Sequence, residues 1–386
     1  MKHIYIFLRD MFYHRLMAFI AAAWYGFPSR WLTVVGVTGT KGKSTTVELI
    51  AHILESAGKK VAVSSSVRNT GSGMTMQGCF KLQRLLRDAL TRGCGYAVIE
   101  VTSQGIVQHR HRFINWAVVV FANLAPEHVD AHGGFEKYRA AKVAFFEYAT
   151  KNPKAIFVIN KDDENAPYFI NAARQYKKIL FSREMAPATL HGVFNEYNAG
   201  AALAVASALG IFEDVAKRAV ADFKGVHGRM EFIQRNPFTV VVDYAVTPDS
   251  LRAAYNAFAG SRIIAVFGCT GGGRDIWKRR VMGGIAGEAC ALVVLTDDDS
   301  YDENTGSIMT EIEAGLVSVK EGYWKIGENY WKIADRKEAI KKALSIAQSD
   351  DVVLVTGKGG DAWLRMKRGV KIPWSDQGVI RDILKG

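Results

Sequence analysis

Short apolar runs alternate with segments of helical spacing along most of this chain. A β-branched run at residues 32–37 ends in a Gly/Thr turn, and residues 45–57 then carry apolar side chains at helical intervals. Further apolar runs, each predicted to be a strand, lie at 61–64, 96–101, 117–121, 155–159, 239–242, 263–267, 292–295 and 352–355. Strands separated by helices predict an α/β fold with parallel sheets covered on both faces.

The alternation pauses at residues 225–235, which predicts a domain boundary near Arg235. We therefore expect an N-terminal helical segment (1–30), a central α/β domain (31–235) and a C-terminal α/β domain (236–386). A chain of 386 residues is long enough for two or three domains with sizeable cores. The four cysteines are dispersed without a CxxC pair, which argues against disulfides and structural zinc and predicts a cytoplasmic location.

The formal net charge is +12, but no basic run is long enough to indicate that the protein binds nucleic acid. An acidic or phosphorylated small substrate explains it, and so does an anionic membrane surface. The apolar segment 16–27 is shorter than the roughly 20 residues that span a bilayer, and it lacks a convincing signal-peptide cleavage site. It is either a helix packed on the body of the protein, which we favour, or an amphipathic helix at the inner membrane face.

A phosphate-binding loop is the strongest local signal. Residues 36–45 read GVTGTKGKST, follow a predicted strand and open a predicted helix, so backbone amides and the positive helix end can hold phosphate. Lys43 would reach the β- and γ-phosphates, and Ser44 would offer its hydroxyl to Mg²⁺. Val37 stands where the common motif has glycine, so the pattern is GxxGK(S/T). An ordinary Gly/Thr-rich turn is the alternative, which the Gly-Lys-Ser-Thr ending disfavours.

Glu100 lies at the end of the predicted strand 96–101. An acid at the carboxyl end of such a strand, in a sheet that also carries a phosphate loop, lies on the ligand side of the fold. It can hold a metal ion directly or through water. The plain alternative is a charged residue that ends a strand.

Eight motifs in a fixed order resemble a known family. They are TGTKGKST (38–45), EVTSQGIVQHR (100–110), NLAPEHVDAHGGFEKYRAAK (123–142), HGVFNEYN (191–198), GRMEFI (228–233), VVDYAVTPDS (241–250), GCTGGGRD (268–275) and GKGGD (357–361). On these motifs, residues 31–386 are similar to the Mur ligase family, and within it to the tripeptide synthetases that add the third residue of the peptidoglycan stem peptide. The resemblance implies a P-loop central domain and a Rossmann-like C-terminal domain.

The resemblance also implies an ATP-dependent, ADP-forming amide ligase. In this chemistry ATP phosphorylates a carboxylate of the acceptor, the amine of an amino acid attacks the acyl phosphate, and inorganic phosphate leaves. Divalent cations must neutralise the transferring phosphoryl group, and the reacting groups must be aligned. The implied cofactors are therefore ATP and Mg²⁺, with Mg²⁺ bound at two sites.

Residue by residue, the resemblance assigns Lys43 to the phosphates and Ser44, Glu100 and His128 to metal ions. Lys142 aligns with the lysine that these ligases carbamylate, and a carbamate is an anion that can hold a metal. Without the family, Lys142 would be one more lysine on an exposed helix face.

Nucleotide contacts are implied from both domains. Asn195 and Asn198 match asparagines on the adenine side, although asparagines before an Ala-rich helix otherwise indicate a cap. Arg229 matches an arginine that reaches the phosphates across the domain boundary, and Asp243 matches the ribose-binding acid. The implied catalytic set is Lys43, Glu100, His128, Lys142 and Arg229. The implied nucleotide set is Gly39, Thr40, Lys41, Gly42, Lys43, Ser44, Thr45, Asn123, Asn195, Asn198, Arg229 and Asp243.

The resemblance implies one set of residues that binds the acceptor and another that binds the incoming amino acid. Arg110 is suited to a carboxylate by its planar fork, and Arg274 aligns with the arginine that binds the carboxylate of the incoming amino acid. The implied acceptor set is Asn69, Thr70, Ser103, Gln108 and Arg110. The implied amino-acid set is Arg274, Asp298, Asp299, Ser300, Tyr301, Gly357 and Asp361.

One departure from the family concerns the amino acid. Diaminopimelate-adding members carry Asp-Asn-Pro-Arg where residues 298–301 here read Asp-Asp-Ser-Tyr. Tyr301 cannot form a bidentate ion pair, and the run Asp297–Asp299 is acidic. An acidic pocket suits a side-chain ammonium, so we expect lysine or another diamine rather than diaminopimelate.

A second departure concerns the acceptor, because only some thirty residues precede the phosphate loop, too few for the family's uridine-binding domain. A partner protein then supplies that contact, or the muramoyl-peptide part alone is recognised, or the acceptor differs. Two alternatives to the stem-peptide ligase stay open: a folylpolyglutamate synthase-like ligase and a catalytically inactive nucleotide-binding scaffold. The GRME, DYAxTPD and GIVQHR motifs favour the Mur branch over the folate branch.

Overall fold

The chain divides into two compact units, Met1–Lys224 and Gly225–Gly386. The computed structural model describes residues 12–69, 75–125, 133–186, 191–273, 275–320 and 322–385. The boundary predicted near Arg235 falls after the short strand Glu231–Gln234, which the structure assigns to the second unit because it pairs with Thr239–Asp243.

The first unit is a parallel six-stranded sheet with helices on both faces, as the alternating pattern predicted. The strand order is β2-β3-β1-β4-β5-β6. In chain order the elements are α1 (His14–Trp24), β1 (Thr33–Thr38), α2 (Lys43–Ser56), β2 (Val61–Ser64), α3 (Cys79–Thr91), β3 (Tyr96–Glu100), α4 (Ser103–Val107), β4 (Trp116–Phe121), α5 (Phe135–Ala149), β5 (Ile156–Asn160), α6 (Ala166–Ala173), β6 (Lys177–Phe181), α7 (Val193–Ala208) and α8 (Glu213–Asp222).

Two hydrophobic cores flank this sheet, because successive side chains of a strand point to opposite faces. On β1, Val34 belongs to the core beneath α3 and α5, while Val35 belongs to the core beneath α2 and α7. Both faces of the central strands are therefore apolar, and their polar residues gather at the strand ends. The candidate site lies at the carboxyl ends of β1, β3 and β4, where the strand order reverses direction.

The second unit has its own six-stranded sheet, in the order β11-β10-β9-β12-β8-β7, with only β7 antiparallel to its neighbour. A two-stranded antiparallel hairpin of β13 and β14 follows. The elements are β7 (Glu231–Gln234), β8 (Thr239–Asp243), α9 (Pro248–Asn256), β9 (Ile263–Phe267), α10 (Trp277–Ala289), β10 (Leu292–Leu295), α11 (Thr305–Leu316), β11 (Tyr330–Lys332), α12 (Arg336–Ser345), β12 (Val352–Thr356), β13 (Trp363–Arg365), β14 (Lys371–Pro373) and α13 (Asp376–Lys385).

The N-terminal helix α1 packs on the first unit through a face of small residues. Ala18, Ala21 and Ala22 are buried, and the helix contacts α3. Its large apolar side chains, by contrast, lie on the exposed side. Within the part of the chain that the structure describes, no helix is long and apolar enough to cross a bilayer.

Candidate active site

The phosphate loop connects the end of β1 to the first turn of α2, as predicted. Gly42 precedes Lys43 with a φ of +73°, a left-handed conformation that favours glycine. A Cβ atom at Gly42 would lie 2.1 Å from the side-chain oxygen of Asn198, so a larger residue there would have to displace Asn198. The loop therefore brings backbone amides and the positive end of α2 to one place, which is the arrangement that binds phosphate.

Asn123, which follows β4, holds this loop in shape. Its side-chain oxygen accepts hydrogen bonds from the backbone amides of Lys41 (2.8 Å) and Thr40 (3.2 Å), while its amide donates to the Lys41 carbonyl at 3.0 Å. The Asn123 side chain is thus hydrogen-bonded to the backbone of the phosphate loop. We infer that Asn123 contributes to nucleotide binding by ordering the loop.

The Lys43 ammonium lies over the loop itself, where it donates to the carbonyl of Thr40 at 2.9 Å. The Thr40 hydroxyl is in turn 3.1 Å from the Tyr138 hydroxyl of α5. A phosphate group that binds here would place one of its oxygens against the Lys43 ammonium, where the Thr40 carbonyl now lies.

Ser44 and Glu100 meet although 56 positions separate them along the chain. The Ser44 hydroxyl donates to Glu100 Oε2 at 3.0 Å, and the backbone amide of Ser66 donates to the same oxygen at 2.9 Å. The Ser66 hydroxyl is 2.7 Å from that of Ser44. A hydroxyl and a carboxylate beside a phosphate loop are the oxygen ligands that Mg²⁺ prefers.

Lys142 is buried, with 1% of its surface exposed, so its interpretation as a lysine on an exposed helix face is wrong. Its ammonium donates to the Gly39 carbonyl in the phosphate loop at 2.7 Å and lies 4.7 Å from the centre of the Tyr138 ring. The helical spacing of α5 turns this long side chain inward. The group that the resemblance marks for carbamylation thus lies against the loop that would hold the triphosphate.

The two asparagines of α7 lie inside the helix and not at its cap, which Gly192 occupies. The Asn198 amide donates to Asn195 Oδ1 at 3.0 Å, and Asn198 Oδ1 accepts from the Thr46 hydroxyl at 3.2 Å. The interpretation of this pair as a helix cap is therefore wrong. Asn198 instead connects α7 to the first turn of α2.

Three residues of the acceptor set form a second cluster near β2 and α4. The Asn69 amide donates to the Thr75 carbonyl at 3.0 Å and accepts from Gln77 at 2.8 Å. The Arg110 guanidinium donates to the Met76 carbonyl and to Gln108 Oε1. Burial lowers the pKa of Arg110, and Ser103 begins α4 as a buried residue.

In the second unit, the acid at the end of β8 is held by its own chain. Asp243 accepts a hydrogen bond from the Met230 backbone amide at 2.7 Å. The guanidinium of Arg229 lies 4.1 Å from the centre of the Tyr244 ring. A Cβ atom at Gly228 would lie 1.9 Å from the Gly360 amide, so the GRME and GKGGD motifs are packed backbone against backbone.

Two acids and two bases form an ion-pair network beside β13. Asp299 pairs with Lys358 at 2.8 Å and with Arg365 at 2.6 Å. Asp361 pairs with the same two cations, at 3.2 and 2.5 Å. Of the three carboxylates at 297–299, that of Asp299 is therefore balanced by ion pairs within this unit. The backbone amide of Tyr301 donates to the Arg365 carbonyl at 3.2 Å, so residue 301 lies beside the backbone of β13.

Asp298 is the least exposed of the three buried aspartates at 297–299. Burial raises its pKa to about 6, and the positive charge of Lys358 opposes that effect. Its carboxylate lies so near Gly357 that a Cβ atom there would be 2.6 Å from Oδ2. Ser300 instead bonds to Asp297, through its backbone amide at 3.0 Å and its hydroxyl at 3.1 Å.

We expect Asp298→Asn to stabilise the protein at neutral pH. Asp298 keeps its proton to about pH 6 in the folded protein, against 3.8 for an ordinary carboxyl group. The folded state thus binds more protons between these values, and its stability falls as the pH rises through that window. The gain in free energy of unfolding above pH 7 is on the order of 3 kcal/mol. Denaturant titrations at pH 4 and pH 7.5 measure it, and an equal effect at both values would contradict this assignment.

Three predicted site residues, Thr70, His128 and Arg274, lie outside the described residues. Among the residues that are described, no group of three or more His, Cys, Asp and Glu side chains is close enough to hold a metal ion.

Four residues of these clusters were not found by the sequence analysis. They are Ser66, Tyr138, Lys358 and Arg365. Lys358 lies within the GKGGD motif, so its position there was an available signal. Tyr138 likewise lies within the motif at 123–142, whereas Ser66 and Arg365 stand in segments whose local pattern carries no mark of a site.

The residues present fit a nucleoside triphosphate and Mg²⁺. The left-handed turn at Gly42 brings the loop backbone to the first turn of α2, and the oxygens of Ser44 and Glu100 converge beside it. A parallel sheet with such a loop at its switch point defines a P-loop nucleotide-binding protein.

Comparisons with known proteins identify the family. Residues 37–189 match the Mur ligase middle domain, and residues 228–359 match the Mur ligase, glutamate ligase domain. The UDP-N-acetylmuramoyl-L-alanyl-D-glutamate–2,6-diaminopimelate ligase of Cytophaga hutchinsonii is 34% identical over 95% of this chain and 81% of that relative. The UDP-N-acetylmuramyl-tripeptide synthetase of a Roseiflexus species is also 34% identical, over 95% of this chain and 81% of that relative.

Solved structures agree with this result. A UDP-N-acetylmuramoyl-L-alanyl-D-glutamate–2,6-diaminopimelate ligase has a TM-score of 0.62 at 29% identity, covering 92% of this chain and 78% of that one. Folylpolyglutamate synthase of Mycobacterium tuberculosis has a TM-score of 0.71 at 16% identity, over 90% and 94%, which shows a shared fold alone. The chain belongs to the Mur ligase family, the ATP-dependent ligases that form the amide bonds of peptidoglycan precursors.

Proposed function

We propose that this protein joins an amino acid to a carboxylate of a muramoyl-dipeptide acceptor through an acyl phosphate. The observation that carries the proposal is the meeting of Ser44, Glu100 and Lys142 around one phosphate loop. The names of the tripeptide-forming relatives support the acceptor class.

The residues of the first unit divide the work at the phosphate end. The loop amides and Lys43 bind and orient the triphosphate, and Ser44 and Glu100 hold Mg²⁺. When bound, Mg²⁺ neutralises charge on the transferring phosphoryl group. We propose a second metal site at His128 and a carbamylated Lys142, in which the side-chain nitrogen has bonded to carbon dioxide and released a proton.

The remaining assignments complete the nucleotide, acceptor and amino-acid sites. We propose that Asn195, Asn198, Asp243 and Arg229 contact the nucleotide. The acceptor is assigned to the cluster of Asn69, Gln108 and Arg110 together with Thr70 and Ser103. The amino acid is assigned to residues 298–301 with Arg274, Gly357 and Asp361.

We propose a diamino acid, with lysine preferred, as the substrate that is added. Tyr301 offers no guanidinium at the position where diaminopimelate-adding members carry one. The pairing of Asp299 and Asp361 with Lys358 and Arg365 leaves less negative charge for a side-chain ammonium than the sequence indicates. Asp297 and Asp298 are then the carboxylates assigned to that ammonium.

Release of ADP from ATP across a panel of amino acids tests this proposal. We expect lysine to support faster release than diaminopimelate, in the presence of Mg²⁺ and a muramoyl dipeptide. Tyr301→Arg should shift the ratio of kcat/KM values toward diaminopimelate, because a guanidinium can pair with its distal carboxylate. A wild-type preference for diaminopimelate would overturn the lysine assignment and leave the ligase class intact.

The same assay separates the other candidates. Rates with UDP-muramoyl dipeptide and with muramoyl dipeptide, measured side by side, show whether the nucleotide part of the acceptor is recognised. Addition of cell extract shows whether a partner protein increases the rate with UDP-muramoyl dipeptide. A folate acceptor tests the folylpolyglutamate synthase-like alternative. Nucleotide binding without any amino-acid-dependent ADP release would favour the inactive scaffold.

A further inference from the structure

An apolar stripe covers the outer side of α1. Leu16, Ile20 and Trp24 recur at intervals of four residues, so they lie along one line of the helix surface. They are 54%, 37% and 78% exposed. Trp31, just after the helix, is 76% exposed. The buried alanines on the opposite side already attach the helix to the protein, so this stripe is not needed to hold it in place.

A group of cations lies beside this stripe. Arg112 and Lys151 stand 5.5 and 4.9 Å from the centre of the Tyr148 ring, and Arg30 stands 4.7 Å from the Phe27 ring. Burial and then the positive charge of Arg15 lower the pKa of Arg112, so the cations are close enough to repel one another. None of these four cations forms an ion pair with another residue that the structure describes.

The stripe and the cations share one edge of the first unit. Trp31 precedes β1, Arg112 and Phe113 precede β4, and Lys151 precedes β5, so all stand at the amino ends of the parallel strands. The Phe19 and Phe113 rings, 5.3 Å apart, join α1 to this edge. A groove of about 380 Å³, lined by aromatic rings and by Arg30 and Lys151, opens here. The phosphate loop lies at the carboxyl ends, on the opposite edge of the sheet.

We propose that this edge, formed by the stripe of α1 with Trp31 and by Arg15, Arg30, Arg112 and Lys151, binds the surface of an anionic lipid bilayer. An interfacial helix places apolar and tryptophan side chains at the level of the headgroups and its cations against lipid phosphates. The eleven residues of α1 suit that position and are too few to span the bilayer. Docked in this way, the first unit would keep its phosphate loop turned from the membrane.

Charge complementarity selects the lipid surface over a second copy of the chain. A second copy would bring four further cations against these four in a symmetric contact, and it carries the same excess of 12 positive charges. Anionic lipids attract such a patch, by about 1 kcal/mol per Lys or Arg near the surface.

Flotation of the full chain with lipid vesicles tests the proposal. We expect binding to vesicles that contain phosphatidylglycerol and little binding to pure phosphatidylcholine. Arg15→Gln with Arg30→Gln should lower the vesicle partition coefficient roughly thirtyfold. That factor corresponds to the binding free energy that two such charges contribute together. Trp24→Ser with Trp31→Ser should weaken it by at least about tenfold.

Matched variants control for nonspecific effects. Phe212→Ser removes an 82% exposed ring before α8, on the other face of the sheet, and should leave partitioning unchanged. Lys161→Gln with Lys371→Gln removes two exposed charges, one after the carboxyl end of β5 and one in the second unit, and should have little effect. Circular dichroism checks that each variant is folded.

Failure of the wild-type chain to bind anionic vesicles would overturn the proposal, and so would equal binding to neutral ones. A concentration-dependent dimer that Trp24→Ser with Trp31→Ser abolishes, without vesicle binding, would assign the stripe to self-association instead. Neither result depends on the ligase reaction.

Discussion

Replacing Lys142 with alanine is expected to lower amino-acid-dependent ADP release by about 10³-fold, the scale of losing a group that stabilises the transferring phosphoryl. The side chain is buried and donates to the Gly39 carbonyl of the phosphate loop, and its carbamate would supply a metal-binding anion there. Initial rates at saturating Mg²⁺ and ATP give the effect. We expect the fold to remain, because the other contacts of the loop, through Asn123, do not involve Lys142.

Lys137→Ala is the matched control, since Lys137 lies on the same helix and is exposed. It should leave the rate nearly unchanged. A short carboxylic acid added to the Lys142→Ala protein should restore part of the activity if it occupies the place of the carbamate. Near-normal turnover of Lys142→Ala would show that the assignment of this residue is wrong.

Replacing Glu100 with glutamine is expected to lower the same rate by about 10²–10³-fold and to raise the Mg²⁺ concentration needed for half-maximal activity. Glutamine keeps the size of the side chain and an acceptor for the Ser66 amide, but it removes the charge that would face the metal. A titration of rate against Mg²⁺ measures both effects.

Glu55→Gln, an exposed acid at the end of α2, should leave the Mg²⁺ dependence unchanged. Ser44→Ala combined with Glu100→Gln should cost less than the two single effects together, because residues that share one ligand are not additive. Strict additivity, or an unaltered Mg²⁺ dependence in Glu100→Gln, would separate Glu100 from the metal.

The sequence predicted the buried strands of both sheets well, because each is a continuous apolar run covered on two faces. The strands it did not predict lie at edges or in hairpins. Strand β6 (Lys177–Phe181) is half exposed and mixes lysine with leucine, while β11, β13 and β14 have three residues each. Too few alternating positions are present in such strands to form a pattern.

The phosphate loop and its neighbour Glu100 were predictable, since both follow strands whose carboxyl ends meet at one edge. The burial of Lys142 was not, because its partner Gly39 is 103 positions away and helical spacing alone does not tell which polar side faces inward. The balance of charge around Asp299 was hidden in the same way. Its partners Lys358 and Arg365 come from the end of β12 and from β13, far along the chain.

The most direct test of the proposed function follows one oxygen atom. If the acceptor carboxylate takes the γ-phosphoryl group from ATP and the amine then displaces phosphate, an acceptor labelled with oxygen-18 in that carboxylate must give its label to the inorganic phosphate released. Mass spectrometry of that phosphate should show one labelled oxygen per amide bond formed. Unlabelled phosphate, released while the amide accumulates, would contradict the acyl-phosphate account.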